Sequence, residues 1–209
     1  MGEAKRRSAE IKMLLSRESD WHNSLHGEEK DVAEVAIATF NRIVLQQNLT
    51  GGCYNLAFFL REYLARERGI AVEMVVGWVT DSSWEGGISH AWIEHGARKT
   101  DISIWNTEEP EAQLPGAVII QDFEYRKGVT DYTYQRELPQ SAREYLDRAA
   151  KNPEFGAAYR HKDAEHQEMF RLAAAPDGAA QYFSRAPLSM KYESLVRMLA
   201  MPERLPREA

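Results

Sequence analysis

Apolar residues along this chain fall into two rhythms. Between Glu28 and Gln47, Val32, Val35, Ala36, Phe40, Ile43 and Val44 recur at intervals of three and four, which predicts an amphipathic helix packed on a core. After Cys53 the same spacing returns in Leu56, Phe59, Leu60, Tyr63 and Leu64, and Gly69 supplies the stop. A two-residue rhythm then takes over. Ile70, Val72, Met74, Val76 and Trp78 fall on one face and Ala71, Val75 and Val79 on the other, the pattern of a central strand covered on both sides. Ile88 to Glu94 alternates as a second strand, followed by a turn at His95-Gly96-Ala97-Arg98 and a third strand, Lys99 to Ile104. Ala117 to Gln121 and Asp131 to Arg136 predict two more.

Outside this middle stretch the texture differs. Residues 3 to 18 predict a first helix with a narrow stripe of Ile11, Leu14 and Leu15, and Trp21 to Gly27 reads as a linker. Beyond Pro139, helix-favouring charged segments are broken by Pro153, Pro176, Pro187 and Pro202, leaving helices at Ala142 to Lys151, His161 to Ala174 and Ser189 to Met201. Three segments result: an N-terminal helix and linker (1–27), a core (28–138) and a helical C-terminal extension (139–209). The fold class is α+β, with an antiparallel sheet of four or five strands and the Cys53 helix packed on it. The extension is expected to cover a substrate groove, bind a partner or form a homodimer contact.

Composition narrows the class. With 44% hydrophobic and 10% aromatic residues, 209 residues can bury a substantial core. Thirty-two acidic against 26 basic residues give a net charge of -6, which argues against general nucleic-acid binding; Lys5-Arg6-Arg7 is a local basic exception on a solvated terminus. A single cysteine excludes an intrachain disulfide and a multi-thiolate zinc site. No apolar run approaches the roughly 20 residues of a membrane span, so no membrane association is expected. Cytoplasmic residence, where a thiol stays reduced, is the expectation. His22 and His26 lack the glutamate of a metalloprotease motif, and His161 and His166 are five apart, so no metal and no cofactor are expected.

The lone cysteine is the most informative residue. Gly51 and Gly52 precede it and a helical pattern follows, so it stands at a helix N-terminus, where unpaired N–H groups favour thiolate over thiol. An imidazole is the natural base for it at neutral pH, and His90 is the strongest candidate. A two-residue hairpin loop fixes what His90 meets. With His95-Gly96 as the loop it faces Asp101; with Gly96-Ala97 it faces Ser103, and Asp101 lies one diagonal step away on the same face. A three-residue loop would separate them. Gln47 continues the apolar stripe of its helix six residues before Cys53, so it needs a polar partner; Gln46 or Asn48 could take the same role, and a bond to the following loop explains it as well. Trp84, in a Gly-flanked loop before His90, is read either as a substrate-facing ring or as surface packing. Trp92 shares the His90 face and either shields the imidazole or is plain core. Asp81, Glu85 and Glu94 near the site hint at a basic substrate.

Helix-borne Gly-Gly-Cys53-Tyr54, the strand at Val72 to Val79, His90-Ala91-Trp92-Ile93-Glu94 and Thr100-Asp101-Ile102 together resemble the transglutaminase-like superfamily of papain-like cysteine enzymes. The resemblance covers about residues 45 to 105. It implies a papain-like core with Cys53 as nucleophile, His90 as general base and acid, Asp101 as the orienting acid, and Gln47 as a donor to the oxyanion. The family often follows this aspartate with a proline-containing turn, where this chain has Ile102-Ser103-Ile104. The implied activity is acyl transfer from an amide or peptide bond, as a cysteine peptidase or amidase acting on a peptide or protein substrate. Transfer to an amine, as a transglutaminase or N-acyltransferase, is the alternative. An inactive transglutaminase-like binding module is another, because a lone cysteine is more often a buried small hydrophobe than a nucleophile.

Overall fold

A computed structural model describes residues 2–111 and 113–202; the side chains of Lys5, Arg7 and Ile11 lie outside the described residues. Helix α1 (Gly2–Ser24) precedes α2 (Glu28–Thr39), which widens into a π-helical turn at Phe40–Leu45. Helix α1 runs further than its apolar stripe predicts, so the linker shrinks to Leu25–Gly27. The reason is a distant partner: Trp21 stacks on Phe123 with ring centroids 4.3 Å apart. Leu14 and Leu15 remain exposed.

Helix α3 (Cys53–Tyr63) continues as a π-helical turn at Leu64–Arg68 and ends at Gly69, whose φ of +70° is open to glycine at little cost. Strand β1 (Glu73–Asp81) follows, then β2 (Trp84–His95), β3 (Arg98–Thr100), β4 (Val118–Ile120), β5 (Phe123–Arg126) and β6 (Thr133–Gln135). One antiparallel sheet has the order β3-β2-β1-β6, and β4-β5 forms a separate two-stranded ribbon. The ribbon joins the sheet through a bridge between Asp101 and Ile119. The alternation of β1 holds, with buried residues on both faces. β5 was not expected. It returns from a two-residue turn at Gln121-Asp122, both at positive φ, in a stretch with no glycine to signal it.

Four α-helices follow among the described residues: α4 (Gln140–Ala149), α5 (Pro153–Ala174), α6 (Gly178–Arg185) and α7 (Tyr192–Ala200). Helix α5 starts at Pro153 rather than His161, because Asn152 caps it by accepting from the N–H groups of Glu154 and Phe155. Helix α6 was not expected, its eight residues being too few to show a period. The last three helices share the core of the preceding segment: Met169, Leu172, Phe183, Tyr192, Leu195 and Leu199 are buried in one cluster with Phe40, Phe58, Phe59 and Ile93. A fully buried leucine such as Leu195 contributes roughly 1.5–3 kcal/mol. Polar contacts fix the same join, with Arg61 donating to the Ala173 carbonyl at the end of α5 (2.8 Å) and Arg42 to that of Leu199 at the end of α7. No helix among the described residues is long and apolar enough to cross a membrane.

Candidate active site

Cys53 is the first residue of α3. The Leu56 N–H donates to the Gly52 carbonyl at 2.9 Å and closes the first turn, so the N–H groups of residues 53–55 are the helix's unpaired donors. Two aromatic pairs join the helix to α6 and α7: Phe58 stacks on Tyr182 (4.5 Å), and Phe59 lies tilted against Tyr192 (5.9 Å). Residues 54–60 are all buried, so α3 is enclosed in its first two turns rather than amphipathic. Its outer face is covered by α6 and α7. Cys53 itself is half-buried.

The β2–β3 hairpin adopts the second of the two registers. Ile93 pairs with Thr100, Glu94 with Lys99 and His95 with Arg98, which leaves Gly96-Ala97 as the loop. Both loop residues have positive φ, +55° and +63°, the conformation whose twist matches the flanking strands. Extending that register puts His90 across from Ser103 and Asp101 one diagonal step away on the same face. The pair closes directly, with His90 Nε2 2.6 Å from Asp101 Oδ2. Both residues are buried, at 3% and 2% exposed.

Asp101 is fully satisfied. Its Oδ1 accepts from the Ser103 N–H (2.9 Å) and hydroxyl (2.7 Å), and its Oδ2 accepts from the Tyr134 hydroxyl (2.6 Å) as well as from His90. Burial pushes this carboxyl up, but the His90 charge and these hydrogen bonds outweigh it and hold Asp101 below the usual carboxylate range. For His90 burial pulls the other way. It favours the neutral ring, yet the Asp101 charge and hydrogen bond, with a further contribution from the Cys53 side chain, push the imidazole up to about 10. With Nε2 held by Asp101, Nδ1 is the nitrogen left to face the sulfur. Cys53, Trp92, Asp101 and Ser103 line one small cavity of about 10 Å³. A basic imidazole beside a thiol favours proton transfer from sulfur to nitrogen.

The other expected residues are placed as follows. Trp92 is buried on the His90 face, its ring 6.4 Å from the imidazole and edge-on to Tyr134 at 5.2 Å. Gly77, paired with His90 across β1, makes room for that indole: a Cβ there would come within 2.7 Å of it. Trp84 packs edge-on against Tyr145 of α4 in a small second cluster with Trp78, Leu138 and Leu146. Gln47 is exposed in the turn between α2 and α3. Of the acidic residues, Glu94 accepts from the Trp92 N–H (2.8 Å) and from Arg136, Asp81 caps the Ser83 turn, and Glu85 lies 3.9 Å from Arg148. Each therefore has a partner within the chain.

Two contributors were missed. Ser103 appears in the sequence only as the residue opposite His90 in one register, not as a donor to the aspartate. Tyr134 sits in a recognisable strand, but nothing local says that β6 pairs with β1, which is what carries its hydroxyl to Asp101.

No protein-family model matches the chain, nor does any curated protein or any solved structure.

Proposed function

We propose that this chain is a thiol-dependent acyl-transfer enzyme of the transglutaminase-like, papain-like kind, cleaving an amide or peptide bond with Cys53, His90 and Asp101. What supports the reading most is the buried 2.6 Å His90–Asp101 bond formed beside a half-buried thiol at a helix N-terminus. His90, pushed up to about 10, carries its proton on Nδ1 at neutral pH and pairs with the Cys53 thiolate, which attacks the amide carbonyl carbon. The Cys53 backbone N–H is in place to donate to the oxyanion that forms. His90 then gives its proton to the nitrogen as the C–N bond breaks, leaving a thioester and a free amine. Water, deprotonated by His90, adds to the thioester; the C–S bond breaks, the acid leaves and the thiolate beside the protonated ring is restored. Asp101 holds the ring with Nδ1 towards sulfur and stabilises the imidazolium, and Tyr134 and Ser103 hold Asp101.

The test is incubation of the purified chain with a cellular peptide pool, read by mass shift against Cys53→Ala. Cleavage or deamidation that disappears in the variant is the expected result. Cross-linked or amine-conjugated products would assign amine transfer instead. A Cys53 that iodoacetamide labels only after unfolding would overturn the enzyme and favour a binding module.

A further inference from the structure

On the other face of β2 a second set of hydrogen bonds crosses the same helix–sheet interface. The Tyr54 hydroxyl lies 2.5 Å from Ser89 Oγ, and Ser89 Oγ lies 2.6 Å from His166 Nδ1. Tyr54 follows Cys53 and Ser89 precedes His90, so this chain of bonds links the neighbours of both proposed reacting residues. It ends in the C-terminal segment, on α5. His166 is only 5% exposed and its ring lies tilted against Trp78, centroids 4.4 Å apart. Because Trp78 pairs with Ser89 and Gly77 with His90, alternation puts His166 across the sheet from the imidazole of His90.

We infer that His166 is a positioning residue for the thiol site: by accepting from Ser89 it fixes the Tyr54–Ser89 brace, and so the separation of Cys53 from His90. The inference rests on the thiol-enzyme reading. Ser89 Oγ is the one hydrogen-bond partner of the Tyr54 hydroxyl among the described residues, so the phenol, kept protonated by burial, donates to Ser89. Ser89 has one proton, and with its oxygen receiving from Tyr54 that proton goes to His166 Nδ1. The ring is therefore the neutral tautomer with its hydrogen on Nε2. Burial, partly offset by Asp163, lowers the His166 pKa and favours that state. Nε2 has no partner among the described residues, and His166 lines a cavity of about 760 Å³ between α5 and the β6–α4 connection. Without an acceptor on α5, the Ser89 hydroxyl has only Tyr54 to turn to, and the two donors compete for one bond.

The test compares iodoacetamide labelling of Cys53 in the full chain with His166→Phe, which keeps a ring on Trp78 but no acceptor, and His166→Asn, whose side-chain oxygen replaces Nδ1. His166→Phe is expected to slow labelling at pH 7 roughly tenfold or more, since small misplacements of reacting groups have effects of that size. His166→Asn is expected to stay within about threefold of the native rate, a recovery that loss of packing would not give. Nitrogen-15 spectra of the imidazole are expected to report hydrogen on Nε2. Rapid labelling in the native chain with no loss in His166→Phe, or hydrogen found on Nδ1, overturns this inference alone. Slow labelling in the native chain overturns the enzyme reading itself. If His166→Phe does not fold, Tyr54→Phe breaks the same brace from α3 and is expected to slow labelling in the same way.

Discussion

Replacing Asp101 with asparagine removes a charge from the middle of the His90 network while preserving volume. The amide oxygen can still accept from Ser103 at the Oδ1 position, whereas an amide nitrogen at the Oδ2 position accepts from neither Tyr134 nor His90, so the loss falls on the ion pair and the Tyr134 bond. Removing one member of a buried, hydrogen-bonded pair costs about 3–5 kcal/mol, and the retained acceptor places Asp101→Asn near about 3 kcal/mol. For a chain of 209 residues that corresponds to a fall of about 6–12 °C in Tm. The pH dependence sharpens the test. His90 is pushed up to about 10 in the fold against about 6.5 unfolded, so its contribution is full below about 6.5 and is lost as pH rises through 10. Asp101 is depressed, so its contribution is present above the unfolded value of about 3.9 and is lost as pH falls below it. The destabilisation should be greatest between about pH 4 and 6.5 and shrink by more than half by pH 10. Urea denaturation at pH 5.5 and pH 10, both chains carrying Cys53→Ala to keep the thiol out of the titration, measures it; the change removes the smallest of the contributions that raise His90, so the decline with pH comes no later than in the native chain. An equal cost at both pH values, or none at either, would refute an ion pair at this position.

Tyr134→Phe removes a donor from the same carboxylate and is expected to cost about 1.5–3 kcal/mol by urea denaturation, with slower Cys53 labelling. Ala97→Gly relieves a side chain held at φ +63° and should stabilise by about 0.5–1 kcal/mol after the added freedom of the unfolded chain is counted; a lower Tm would contradict the assigned turn. Leu195→Ala, at a fully buried position of α7, is expected to cost about 2–5 kcal/mol within a single cooperative transition. Separate melting of the C-terminal helices would show that they do not share the core.

Local patterning carried the α+β class, the helix starting at Cys53 and the common face of His90 and Asp101, because each depends on spacing over a few residues. The hairpin register was narrowed to two choices and no further, since Gly96 belongs to either two-residue loop. What local pattern could not carry was long-range pairing. Trp21 extends α1 because Phe123 waits about a hundred residues away. Tyr134 reaches Asp101 only because β6 joins the far side of β1. The enclosure of α3 was hidden for the same reason: Phe58 and the residues around it look half-exposed until α6 and α7 arrive.

The bridge at Asp101 binds two parts of the molecule at one residue: its N–H donates to the Ile119 carbonyl at 2.7 Å and its carbonyl accepts from the Ile119 N–H at 2.8 Å. The acid is thereby a seam between the sheet and the ribbon, and it cannot shift without carrying the ribbon along. Deuterium uptake at the Asp101 and Ile119 amides should therefore rise and fall together. A substitution that loosens the ribbon at Ile119 would therefore be felt at the carboxylate that orients His90, although it touches neither side chain.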